Sequence, residues 1–248
     1  HNTIHDPLLE NQELINKYQN KQGSEKKENN PTIGAMIETL DLSVGQIIKK
    51  LKNLKLFDNT LLIFCSDNGG KYEHASQKPF KKGKGWLYEG GIRVPLIISW
   101  PRKIKNNFIS EQMTSSIDFL PTILNVTNSG LDNKIVYDGI DISPVFYNKS
   151  NLIKRDELYW HYPHYHSGSG MEPASAMRWK DYKLIQWHEP TLLNMEKQIE
   201  LYNLKLDPGE KNDLSQIEPE IAILMKNKLK NWIKEVDASM PKVNRENY

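Results

Sequence analysis

The 248-residue chain is long enough for one large or two smaller hydrophobic cores, and its 38% hydrophobic and 26% charged residues suit a globular protein. A formal net charge of +2 gives no argument for a nucleic-acid partner, and no apolar run approaches the length needed to cross a membrane. The single cysteine, Cys65, excludes an internal disulfide framework.

In chain order, residues 8–30 are polar and read as an exposed loop. Asn30-Pro31 supplies a helix cap and a first-turn proline. Apolar residues then recur in steps of three and four from Ile33 through Met36, Ile37, Leu40, Val44, Ile47, Ile48 and Leu51 to Leu54, predicting one amphipathic helix. Asp58-Asn59 turns the chain into Leu61–Cys65, a short apolar run that reads as a buried parallel strand. A second apolar strand is predicted over 92–100, with Pro95 confined to its start or to a sheet edge, and a short helix over 118–124. Polar composition around 143–155 predicts a boundary, giving an α/β portion over 1–148 and a smaller α+β portion over 149–248. In the second portion, strand candidates at Glu157–His161, Ser175–Arg178, Tyr182–Trp187 and Ile199–Asn203, joined by short connections, predict an antiparallel sheet. A helix from Pro219, with a stripe of Ile221, Leu224, Met225, Leu229, Trp232, Ile233 and Val236, is expected to pack on it.

The end of the Leu61 strand opens into Ser66-Asp67-Asn68-Gly69-Gly70. Ligands bind at the carboxyl ends of strands in open α/β sheets, and Asp67 and Asn68 offer the hard oxygen donors that Ca²⁺ or Mg²⁺ prefers. Asn-Gly is equally a common turn pair, with Gly69 and Gly70 permitting a sharp bend, so the stretch alone leaves both readings open. Lys84 lies between Gly83 and Gly85, where an ammonium can approach an anion closely. Because five of the 33 Lys and Arg residues are arginine, leaving 28 lysines, Lys78, Lys81 and Lys82 read as solvated. The cluster from Trp160 to Gly170 carries His161, His164 and His166. No acidic or thiol partner lies at a typical zinc spacing. Aromatic and imidazole groups on a Gly/Ser loop suit sugar recognition, and His164 and His166 are the candidates for it; a surface loop with its aromatics packed inward is the alternative.

The motif Ser66-Asp67-Asn68-Gly69, followed by Lys78 through Lys84-Gly85-Trp86-Leu87-Tyr88-Glu89-Gly90-Gly91-Ile92-Arg93-Val94-Pro95, resembles the type I sulfatases. The resemblance continues through Ala35–Asp41, Ser116–Leu124, Asp138-Gly139-Ile140-Asp141, Glu200–Leu204 and Asp207-Pro208-Gly209-Glu210, in the family's order. It implies the later half of a layered α/β sulfatase domain, followed by a small antiparallel sheet with a packed carboxyl-terminal helix. It also implies that Asp67 and Asn68 are metal ligands for Ca²⁺ (with Mg²⁺ possible), that Lys84 contacts the sulfate, and that His5 contacts the sulfate or leaving oxygen. Glu89 and Arg93 are expected to be structural, as an ion pair bracing the loop. Such sulfatases carry an early Cys-x-Pro-x-Arg motif whose cysteine becomes formylglycine; Cys65, in Cys-Ser-Asp-Asn-Gly, does not match it. The nucleophile is therefore expected outside these 248 residues, the isolated chain is expected to be inactive, and the Leu61 strand is expected to expose apolar surface. The resemblance implies a sulfated carbohydrate or aryl sulfate as partner and export to a periplasm or the exterior. A phosphodiesterase or phosphonate hydrolase of the same superfamily, and a non-catalytic glycan-binding chain, are the competing readings.

Overall fold

A computed structural model of the chain describes residues 5–243 except 75, 105–106, 133, 149–152 and 197. The chain forms two compact units, one of residues 1–46, 65–96 and 157–248, the other of residues 47–64 and 97–156. Among the described residues, no helix is long and apolar enough to cross a membrane.

The polar stretch after Leu8 is not wholly loop, as its composition suggested: it contains helix α1 (Gln12–Gln19). Asn11 caps α1 by accepting from the Glu13 N–H at 2.8 Å, and Lys17 pairs with Glu38 at 2.7 Å. Helix α2 (Pro31–Asn53) starts where expected, with the Asn30 side chain accepting from the Thr32 and Ile33 N–H groups at 2.9 and 3.2 Å. Its stripe is buried at Ile33 and Met36, whereas Ile37, Ile47 and Leu54 are at least half exposed.

Strands β1 (Leu62–Cys65) and β2 (Leu96–Ser99) form a two-stranded sheet; β1 is half-buried at every position rather than buried, and Ile97 of β2 is 61% exposed. Between them lies the short helix α3 (Glu89–Ile92). Helices α4 (Phe119–Val126) and α5 (Ser143–Tyr147) follow β2. In the second unit, Ile142, Val145, Phe146 and Ile153 form the core, with Leu61, Ile98 and Phe108 against it. Arg155 makes a bidentate ion pair to the buried Asp118, whose carboxylate also accepts from the Ser115 and Ile140 N–H groups at 2.8 and 3.0 Å. A fully hydrogen-bonded carboxylate offsets the cost of burying this pair.

The antiparallel sheet has the order β3 (Glu157–Tyr162), β4 (Ala174–Trp179), β5 (Tyr182–Trp187), β6 (Ile199–Asn203). A short helix, α6 (His188–Leu192), leaves β5, and α7 (Pro219–Glu235) follows the last strand. Strand alternation sorts side chains onto two buried faces. Met177, Leu184 and Leu201 meet Ala222, Met225 and Leu229 of α7, with Trp232 stacked on Tyr159 at 4.9 Å. On the opposite face, Ala174, Ala176, Ile185, Trp187 and Tyr202 meet Leu87 and Tyr88. The sheet is thus a central layer whose second face carries the segment leading into α3.

Candidate functional site

The turn after Cys65 is built by close backbone packing. Its Gly69 N–H donates to Gly91 O at 2.9 Å, Ser66 Oγ donates to Asn68 O at 2.9 Å, and the Lys84 N–H donates to Gly70 O at 3.0 Å. Side chains are excluded here: a Cβ on Gly69 would stand 1.8 Å from Gly90 O, and one on Gly91 would stand 2.0 Å from Trp86 O. The glycines of Asp67-Asn68-Gly69-Gly70 therefore serve close approach, since neither Gly69 nor Gly70 adopts a positive φ. Asp67 is exposed and Asn68 half-buried. Burial first, and the Asp67 charge second, push the Cys65 thiol up, which disfavours its thiolate form.

Lys84 lies on a loop that touches two neighbours. Its backbone rests on Gly70, and Gly85, at φ +84°, lies against the loop at 166–169: a Cβ there would stand 2.6 Å from Ser169 Oγ and 3.2 Å from His166 Nδ1. Trp86 Nε1 donates to Ser169 O at 3.0 Å, and the His166 N–H donates to Met171 O at 2.9 Å. His166 Nδ1 is buried with no hydrogen-bond partner among the described residues, an orphan polar atom beside the Lys84 loop. His164 is exposed and stacks on Tyr162 at 4.2 Å between ring centroids. His161 turns away to bond Ser175 Oγ at 2.7 Å and Ser239 O at 2.8 Å, so the three histidines do not converge.

His5 is exposed, and its Nδ1 donates to Asp6 O at 3.1 Å. Asp6 accepts from Lys71 and, at 2.7 Å, from His74 Nε2. The Lys71 hydrogen bond, with His74 adding to it, holds the Asp6 carboxyl below its usual range. Lys71 and His74 immediately follow the Asp67–Gly70 turn, so this ion pair ties the His5 segment to it.

Glu89 is structural, as expected, but Arg93 is its minor partner, at 3.6 Å from a half-exposed guanidinium. The stronger contacts are with Lys183 on β5 at 3.1 Å and with Glu210, whose Oε2 accepts the Glu89 N–H at 2.7 Å. Lys183 was not singled out from sequence, and Glu210 was read only as the end of the Asp207-Pro208-Gly209-Glu210 turn. The one available signal was a lysine amid apolar neighbours, Tyr182-Lys183-Leu184-Ile185, in a chain otherwise crowded with lysines.

Asp67 and Asn68 supply oxygen donors that suit part of a Ca²⁺ or Mg²⁺ shell. Among the described residues no group of three or more His, Cys, Asp or Glu side chains converges to complete one.

A family model described as "Sulfatase" matches residues 2–129, and one described as "N-sulphoglucosamine sulphohydrolase, C-terminal" matches residues 80–238. A sulfatase of Formosa agariphila is 32% identical over 252 residues, covering 93% of this chain and 44% of that protein. The N-acetylglucosamine-6-O-sulfatase of Bacteroides thetaiotaomicron is 28% identical over 187 residues, covering 73% of this chain and 31% of that protein. Among solved structures, Ps i-CgsB in complex with k-i-k-neocarrahexaose aligns with a TM-score of 0.79 at 27% identity, covering 99% of this chain and 51% of that one. The chain spans less than half the length of these curated relatives. With its ordered motifs, its antiparallel sheet and these matches, the chain belongs to the sulfatase family.

Proposed function

We propose that the complete protein is a sulfuric ester hydrolase that removes sulfate from a sulfated carbohydrate, with aryl sulfates as simpler substrates, and that it acts in a periplasm or outside the cell. The observation that carries this reading is the docking of the Lys84 loop onto both the Asp67–Gly70 turn and the His166–Ser169 loop. The docking supports the reading because the Lys84 backbone meets the turn that carries Asp67 and Asn68, while Gly85 and Trp86 beside it meet the loop that carries His166 and Ser169. In sulfate ester hydrolysis negative charge gathers on the sulfuryl oxygens and on the departing oxygen. Preorganised positive groups are therefore the effective catalysts.

In this reading Lys84 pairs its ammonium with a sulfate oxygen, and His5, its Nδ1 held by the Asp6 carbonyl, contacts the sulfate or leaving oxygen. His164, exposed and stacked on Tyr162, and the half-buried His166 hold the sugar. Asp67 and Asn68 would hold a divalent cation, Ca²⁺ with Mg²⁺ as a substitute, which supplies positive charge to the sulfate when bound, while a formylglycine outside these residues supplies the nucleophile. The neocarrahexaose bound by Ps i-CgsB and the amino-sugar sulfatase relative support a carbohydrate over a simple aryl substrate.

The test is sulfate release by the complete gene product from sulfated oligosaccharides and an aryl sulfate, before and after chelation. Activity lost to chelator and restored by Ca²⁺ supports the reading. Hydrolysis of phosphodiesters or phosphonates without sulfate release replaces it with the phosphoryl reading, and binding of sulfated glycans without turnover leaves a non-catalytic role.

A further inference from the structure

A buried charge cluster joins the small sheet to both halves of the proposed site. Lys183 on β5 is fully buried, with its Nζ 3.1 Å from Glu89 Oε1 and 2.9 Å from Glu210 Oε1. The second contact is ionic, without a well-directed hydrogen bond at Oε1. Glu89 and Glu210 are buried too, and Glu210 Oε2 accepts the Glu89 N–H at 2.7 Å. Two carboxylates thus share one ammonium. Burial pushes the Glu210 carboxyl up, with Lys183 pulling against it.

The backbone beneath Glu210 is itself constrained. Its φ is +51°, the left-handed region that a non-glycine residue seldom occupies unless the surrounding structure holds it there. The preceding turn is pressed close to the Lys84 loop: a Cβ on Gly209 would stand 2.9 Å from Pro79 O.

What this cluster holds is specific. Glu89 is the first residue of α3, and its successors make the contacts that shape the site. The Gly90 N–H donates to Lys81 O at 3.0 Å, fixing the loop that carries Lys84, and Gly91 O receives the Gly69 N–H, fixing the turn that carries Asp67 and Asn68. One anchored residue therefore sets the position of both segments.

We propose that Lys183 and Glu210 are positioning residues: acting through Glu89, they fix the placement of Lys84 relative to Asp67 and Asn68 for sulfate-ester hydrolysis. The proposal rests on the functional reading above. Removing the ammonium leaves two facing buried carboxylates, and a loop released by even an ångström costs on the order of 10²-fold in rate.

The test uses the complete gene product and its Lys183→Met and Glu210→Gln variants, the second keeping an acceptor for the Glu89 N–H while removing one charge. Two readouts are taken where each variant is fully folded: sulfate-release kinetics, and hydrogen exchange of the amides in 67–91 against those of β4 and β6. The expected result is a drop in kcat of roughly 10- to 100-fold, larger than any change in KM. Faster exchange at Gly69, Lys84 and Gly90, with the strands still protected, is expected alongside it. Unchanged kcat and unchanged exchange in 67–91 overturn the proposal. So does exchange that rises evenly across the sheet, or failure of both variants to fold, since either assigns the cluster to overall stability. The exchange readout needs no turnover, so an inactive wild type sinks the sulfatase reading while the coupling of the cluster to the two segments is still decided.

Discussion

Gly69 lies so close to Gly90 that a methyl group on its Cα would stand 1.8 Å from the Gly90 carbonyl oxygen. Relief would require moving backbone, and the backbone concerned carries Asp67 and Asn68 on one side and α3 on the other. Gly69→Ala is expected to destabilise the chain by at least the ~1–3 kcal/mol typical of overpacking. Gly70→Ala meets only the end of the Gln77 side chain, at 2.5 Å, and is expected to cost less. Gly45, exposed within α2 and with nothing near its Cα, is expected to gain up to about 1 kcal/mol as Ala from helix propensity. Denaturant unfolding of the three variants orders them; a Gly69→Ala variant as stable as the parent would contradict the close-packing account.

Much of this arrangement was legible in the sequence, because strands and long helices write their burial as periodicity. The four strands of the antiparallel sheet and the cap at Asn30 fall where pattern places them. Helix α1 was missed because it fully buries no side chain: Leu14, Ile15 and Tyr18 are only half-buried, and neither the Asn11 cap nor the exposed Lys17–Glu38 pair leaves an apolar stripe. The reason for the glycines around Lys84 was also hidden. Close approach between backbones distant in sequence has no local signature, so Gly69 and Gly70 read as a bend. Lys183 escaped for the same reason: its carboxylate partners lie at positions 89 and 210.

His188 should make stability depend on pH. It is buried, and its Nε2 lies 2.9 Å from Ser175 Oγ, which in turn lies 2.7 Å from His161 Nδ1. Because His161 Nε2 faces the Ser239 carbonyl and must donate, its Nδ1 accepts from Ser175, and Ser175 accepts from His188 Nε2–H. Burial first, and the facing His161 second, lower the His188 pKa from 6.5 to about 4. The unfolded state therefore binds the extra proton first as pH falls. This contribution is intact above pH 6.5 and is lost progressively down to about pH 4, reaching at most roughly 3 kcal/mol. His188→Gln, with an amide donor near the Nε2 position, should flatten the stability profile across that window. An unchanged slope in the variant would remove His188 as its source.

The register of α7 on the sheet separates two leucines that the sequence pattern placed on one stripe. Leu229 is fully buried against Met177, Leu184 and Leu201, whereas Leu224 is 42% exposed. Leu229→Ala is expected to cost about 2–5 kcal/mol through lost burial and the cavity it leaves. Leu224→Ala should cost well under half of that, because much of its side chain already contacts water. Equal losses in thermal unfolding would mean that the helix is rotated from the packing described.

Lys84 and His164 are expected to fail differently in the complete gene product. Lys84 rides on a loop fixed by Gly70 O and by the Ser169 contact, and in the proposed function its ammonium meets charge that develops in the transition state. Lys84→Ala should lower kcat by on the order of 10²–10³-fold, on small aryl sulfates as much as on sugars. His164 is exposed and rests on the Tyr162 ring, on the sugar side of the proposed site. Its replacement by Ala should raise KM for a sulfated oligosaccharide by roughly 5- to 50-fold, the equivalent of 1–2 kcal/mol for a stacked and hydrogen-bonded group, while leaving aryl sulfate kinetics near the parent values. Steady-state kinetics of both variants on both substrates give a two-by-two comparison. A His164→Ala variant that loses both substrates alike places this histidine in the chemistry, and one that loses neither removes it from the sugar site.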